Sequence, residues 1–150
     1  MSCLCKPRQV CSPTRQHTLM MARFVIICRS NPDSQRGKAD VTALEWGSKG
    51  YMSRVLQLAT AKIDFVVATD CTYIDPDGST PDDDHFMTAC AGLCHENTRC
   101  FVTFEDRGTV LRNNFLAAAH TKFRYVKEMH RNALPQHYQL EHIDVWELRL

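Results

Sequence analysis

Between Ile63 and Asp70 the chain carries an unbroken apolar run, Phe65-Val66-Val67-Ala68, that stops at Thr69-Asp70-Cys71-Thr72-Tyr73. The run is too short for a buried helix and does not alternate. That is the pattern of a strand covered on both faces of a parallel sheet, and it commits the chain to an α/β architecture. A second strand-like run, Val41-Thr42-Ala43-Leu44, ends similarly in Glu45-Trp46-Gly47. In open α/β sheets, ligands bind in the crevice beyond the carboxyl ends of the strands. Glu45, Trp46, Thr69, Asp70 and Tyr73 therefore fall where a site belongs. A flat indole covers a purine ring, and an acid at a strand end holds an amine or a ribose hydroxyl. Each residue also has a plainer role. Trp46 suits a core, Glu45 a solvated strand end, Asp70 a turn cap and Tyr73 a sheet edge.

The remaining segments fit the same plan. Arg23 to Cys28 reads as a short buried strand, and Ser30 to Asp40, with Pro32 and Gly37, as a surface loop. Met52, Val55, Leu56 and Ala59 recur at helical spacing. After an Asp-, Pro- and Gly-rich loop, Thr80 and Pro81 precede Asp82, Asp83 and Asp84, a helix start with Thr80 as cap and acids facing the positive dipole end. Phe86, Met87, Cys90, Leu93 and Cys94 form the inner face of that helix. Cys100 to Phe104 is a strand and Val110 to Lys122 a helix, with Leu111, Phe115, Ala118 and Ala119 inward. Phe123 to Met129 and Ile143 to Leu150 are strands joined by a turn at Pro135 to Glu141. From residue 41 the order is strand, helix, strand, helix, strand, helix, strand, strand. Alternating strands and helices predict a mostly parallel sheet, closed at one edge by an antiparallel carboxyl-terminal hairpin.

Composition narrows the function classes. At 150 residues the chain is a single domain with 44% hydrophobic content. Its formal net charge of +1 gives no general attraction to nucleic acid or to a membrane surface. No apolar run approaches the roughly 20 residues that span a bilayer. The basic residues Lys6, Arg8, Arg15, Arg23 and Arg29 all precede the first acid, Asp33. Residues 1–22 thus read as an unstructured leader; a mitochondrial transit segment shares this composition. The expected compartment is cytoplasmic, with mitochondrial as the alternative. Without a secretion signal, the eight cysteines read as reduced thiols. Cys90, Cys94, His95 and Cys100 lack the paired spacing of a zinc site, so no metal is expected. No histidine is spaced with a cysteine as a recognisable catalytic pair.

Four pieces carry a family resemblance: Leu44-Glu45-Trp46-Gly47, Asp64 through Tyr73, Phe104-Glu105-Asp106-Arg107 and Ile143-Asp144-Val145-Trp146-Glu147-Leu148. In this order they resemble the carboxyl half of the methyltransferase-like 21 group, the seven-strand protein-lysine methyltransferases that use S-adenosylmethionine. The resemblance covers roughly residues 40–150. It implies part of a Rossmann-like seven-strand sheet, with residues 23–40 of uncertain origin and residues 1–22 unrelated. It implies that Trp46 lies by the cofactor's adenine with Glu45 near the adenine amine, and that Thr69 faces the cofactor. Asp70 and Tyr73 would line the lysine channel, as catalytic residues that orient the amine for displacement on the sulfonium methyl. The implied partner is a protein substrate, by family a chaperone or an ATPase. The family's Gly-x-Gly loop and ribose-binding acid have no counterpart here, since no Gly-x-Gly occurs anywhere in the chain. The family's strand order puts the missing strands at the middle of the sheet. Two functions follow: a truncated lysine methyltransferase, or a catalytically inactive partial domain that acts as a binding or regulatory fragment.

Overall fold

A computed structural model describes residues 23–29, 38–58, 63–80 and 82–150. The expected leader at 1–22 lies outside them, as do Ala59, Pro81 and most of the expected loop at 30–40. Six strands and three helices follow in chain order: β1 (Arg23–Arg29), β2 (Lys38–Leu44), α1 (Lys49–Leu58), β3 (Phe65–Thr69), α2 (Asp83–Leu93), β4 (Arg99–Glu105), α3 (Thr109–Lys122), β5 (Tyr125–Glu128) and β6 (Ile143–Arg149). Two single-turn 3-10 helices lie between β5 and β6. The order of elements from residue 41 is the one the hydrophobic pattern predicts.

The pairing is less parallel than the pattern predicts. β1 and β2 form a separate antiparallel pair, and the other four strands form a mixed sheet in the order β3-β4-β6-β5. Only β3 and β4 run parallel; β4 with β6, and β5 with β6, are antiparallel. The expected hairpin of β5 and β6 is present. Its second strand, however, inserts between β4 and β5, so the antiparallel part reaches the middle of the sheet. What is observed is thus an α/β fold with a mixed sheet.

Alternation sets the two faces of that sheet. Val66, Ala68, Cys100, Val102, Phe104, Trp146 and Leu148 point to one face. There they meet Phe86, Met87 and Cys90 of α2 and Leu111, Phe115 and Ala119 of α3 in the main core. Phe115 sits at its centre, with ring centroids 4.9 Å from Phe104 and 5.7 Å from Trp146. A smaller core joins Leu44, Val55 of α1, and Ala89 and Leu93 on the other side of α2. Trp46 and Val66 touch both cores. α1 therefore packs beside α2, and among the described residues no helix covers the opposite sheet face. This corrects the expectation that β3 is covered on both faces: Phe65 is 60% and Val67 66% exposed. Leu56, expected on the inner face of α1, is exposed as well.

Helix ends follow local chemistry. α2 starts one turn after Thr80, with Asp82 at the cap position and no side-chain capping bond, so Thr80 does not act as the cap. Asp83 and Asp84 occupy the first turn, where carboxylates meet the positive end of the dipole. Asp84 also accepts a 3.1 Å ion pair from Lys122 at the last turn of α3. α3 begins after Gly108, whose φ of 110° is disfavoured for any residue with a Cβ. Among the described residues, no helix is long and apolar enough to cross a membrane.

Candidate functional site

The carboxyl ends of the parallel pair converge on a small charged corner. β3 ends at Thr69, and Asp70 turns the chain out of the strand at φ 49°, a left-handed conformation uncommon outside glycine, asparagine and aspartate. Its N–H stays in the ladder, donating to the Thr103 carbonyl at 2.7 Å. Its carboxylate points outward, 62% exposed, and pairs with the Arg107 guanidinium at 3.3 Å. Arg107 lies just past the end of β4 and also reaches Glu105 at 3.3 Å. Arg107 thus bridges two carboxylates, one local in sequence and one, Asp70, that no local pattern announces. Its signal is topological: Asp70 lies one position past the end of β3 and Arg107 two past the end of β4, and the two strands are parallel neighbours.

The segment after Asp70 is anchored at alternate positions. The Cys71 thiol donates to the Thr69 carbonyl at 3.4 Å. Thr72 is buried, Ile74 packs on the main core, and Tyr73 between them is 46% exposed. Asp75 to Ser79 then closes a turn, in which the Asp77 carboxylate accepts from the Ser79 N–H at 2.9 Å. That backbone bond, helped by the Ser79 hydroxyl, lowers the Asp77 pKa.

Trp46 is placed by packing. It follows β2 in a turn whose Ser48 N–H donates to the Glu45 carbonyl at 3.2 Å. Its ring lies on Phe86, centroids 4.6 Å apart and 37° between planes. Gly47 adopts φ 81°, and a Cβ there would meet the His85 ring at 3.1 Å, so a larger residue would push this turn off α2. Thr69 and Asp70 therefore share one corner with Glu105 and Arg107, and exposed Tyr73 follows Asp70 by three residues. Trp46 and Glu45 belong to a neighbouring turn, tied to that corner through the core on which Trp46, Cys71 and Ile74 all pack.

Two polar clusters stand apart from this corner. Buried Thr98 donates from Oγ1 to the Ile63 carbonyl at 2.6 Å and accepts from the His95 N–H at 3.0 Å, fixing the entry into β3. Buried Asp144 lies 3.5 Å from Arg112, which also holds Glu128 at 2.5 Å. Burial raises the Asp144 pKa against the opposing pull of Arg112. Cys90, Cys94 and Cys100 meet under α2; the Cys94 pKa is raised first by its contact with Cys100 and then by burial. Among the described residues, no cluster of three or more His, Cys, Asp or Glu could hold a metal ion. Neither a scan of protein-family models nor a search of curated proteins found a match to this chain.

Proposed function

We propose that this chain is related to the S-adenosylmethionine-dependent protein-lysine methyltransferases and supplies the side of such a site that receives the lysine. One observation carries the reading. Asp70 is held in a left-handed turn beyond the carboxyl end of a parallel strand pair, its carboxylate outward, with Tyr73 exposed three residues on. A carboxylate there attracts a lysine ammonium, and an exposed phenol hydroxyl three residues on is able to donate to or accept from the amine. Arg107 competes for the same carboxylate, so a lysine must displace or share that ion pair. The substrate in this reading is a protein, by resemblance a chaperone or an ATPase, and the compartment is cytoplasmic. The finer fold reading, part of a Rossmann-like seven-strand sheet, belongs to the same proposal. Among the described residues no strand lies beside the outer edge of β3, which is where the resemblance sets the middle of that sheet.

The described residues fit the methyl-accepting side of such a site better than the nucleoside side. The Trp46 ring is committed to Phe86 and to both cores, which leaves less of it to cover an adenine. This favours the second reading, an inactive binding or regulatory fragment. Two measurements separate the readings. Calorimetry with S-adenosylmethionine is expected to show binding weaker than micromolar. Losing two or three hydrogen bonds to charged cofactor groups, at about 1.5–3 kcal/mol each, weakens affinity about a hundredfold or more. A micromolar dissociation constant abolished by Trp46→Ala with melting unchanged would instead establish a complete cofactor site. Titration with a lysine-bearing peptide, followed by NMR, is expected to shift the resonances of Asp70 and Tyr73. No shift at either residue would remove the lysine-side reading.

A further inference from the structure

Among the described residues, no strand lies beside the outer edge of β3. Its bonds to β4 fix which backbone groups face outward. The Asp64 carbonyl accepts from the Arg99 N–H at 3.0 Å, and the Asp70 N–H donates to the Thr103 carbonyl at 2.7 Å. Even-numbered positions therefore face β4, and the N–H and C=O groups of Phe65, Val67 and Thr69 face away from it. The side chains of the same three residues lie on the uncovered sheet face.

The rest of that face is covered by charge. Arg99 lies over the Phe101 ring at 4.9 Å and bonds Glu147 at 2.6 Å. Arg149 bonds the same carboxylate at 2.7 Å and lies over Tyr125 at 4.9 Å. The opposite edge strand, β5, carries exposed Lys127 and Glu128, which are common guards against edge pairing. β3 has no such guard: Phe65 through Thr69 hold no charge and no proline. Exposed apolar surface and unpaired backbone thus coincide at a single strand.

We propose that β3 pairs with β3 of a second copy of this chain, antiparallel about a two-fold axis through Val67. Val67 then lies opposite the partner's Val67, and Phe65 opposite the partner's Thr69. Every outward N–H of the strand finds a carbonyl in this register, making about six hydrogen bonds. The two four-stranded sheets become one continuous sheet with all helices on one face. The strand itself argues for a like copy: from Phe65 to Thr69 its own backbone and side chains complete the register with no charge between them. At the ends, Asp64 meets the partner's Asp70, whose carboxylate is already on Arg107 and whose φ of 49° turns the chain away. Because β3 is the unguarded edge of the four-stranded sheet and β5 the guarded one, that sheet closes at two copies and does not extend into a fibre. A five-residue pair buries less than the roughly 800 Å² per partner of a standard stable interface, so the dimer depends on concentration. The proposal stands independently of the lysine-side reading.

Sedimentation equilibrium from low to several hundred micromolar is expected to move the mass from 17.2 kDa toward twice that value. Hydrogen exchange along the same series is expected to protect the amides of Phe65, Val67 and Thr69 progressively. Those of Val66 and Ala68, already bonded within the sheet, stay unchanged. Val67→Lys alters an exposed side chain, so it is expected to keep the circular dichroism and melting of the parent while abolishing the dimer. A monomer at every concentration would overturn the proposal. A dimer with unchanged exchange at residues 65, 67 and 69 would also overturn it, as would a Val67→Lys chain that dimerises like the parent. The exchange experiment uses the unaltered chain and decides the matter even if the variant fails to fold.

Discussion

Replacing Glu147 tests whether the charged lattice across the open sheet face stabilises the fold. One carboxylate oxygen of Glu147 accepts from Arg99 Nε at 2.6 Å and from Arg149 Nε at 2.9 Å and Nη2 at 2.7 Å. The Glu147 side chain is only 9% exposed, whereas the two arginines are 43% and 46% exposed. Glu147→Gln keeps a carbonyl oxygen in place, so the hydrogen bonds survive as neutral ones. The difference between a charge-assisted and a neutral bond is about 1 kcal/mol per arginine. Water around the half-exposed guanidinium groups screens part of this, so the expected loss is about 1 kcal/mol in total. Glu147→Ala removes the acceptor as well and is expected to cost about 2–3 kcal/mol. At this chain length 1 kcal/mol corresponds to about 3–4 °C in Tm.

The pH dependence separates charge from packing. The Arg99 hydrogen bond, with that of Arg149, holds the Glu147 carboxyl below its usual value of 4.5. A carboxyl whose folded pKa is lowered adds stability above its unfolded pKa and loses it as pH falls through the folded value. Urea unfolding followed by circular dichroism is therefore expected to show a gap between parent and Glu147→Gln at pH 7. That gap should narrow below pH 4.5. Equal stabilities at pH 7, or a gap that stays constant to pH 3, would refute the role assigned to the charge.

Asp144 is expected to behave in the opposite sense. Burial raises its folded pKa, so its ionisation costs stability as pH rises through that value, and Asp144→Asn should become more favourable relative to the parent from pH 3 to pH 7 by urea unfolding. Thr98→Val removes the bond to the Ile63 carbonyl and leaves two part-buried backbone groups short of a partner, at a cost of about 1–3 kcal/mol in the same assay. Cys94 and Cys100 both have raised pKa values, through thiol contacts and burial, so timed alkylation at pH 8 with mass spectrometry should find both resistant until denaturant is added. Fast alkylation of either in the folded chain would contradict the packing under α2.

The order of elements was readable because each helix and strand carries its own period. The core of α3 shows this: Leu111, Phe115 and Ala119 recur at helical spacing and all three are buried. What could not be read is which elements are neighbours. Phe65-Val66-Val67-Ala68 has the same pattern whether the strand is central or is an edge with nothing on its outer side, because hydrophobicity records the residues and not the company they keep. The same limit hid the contact of Asp70 with Arg107, which lies 37 residues away and becomes visible only once β3 and β4 are known to be parallel neighbours. It also left Trp46 assignable either to a core or to an adenine wall. The structure sets its ring against Phe86, and a ring packed there holds the β2 turn onto α2 whether or not a ligand ever reaches its other face. Fold and site thus draw on the same residues at this turn. A change at Trp46 must therefore be judged by stability and binding together, since a loss of binding alone with unchanged melting is the one result that packing does not explain.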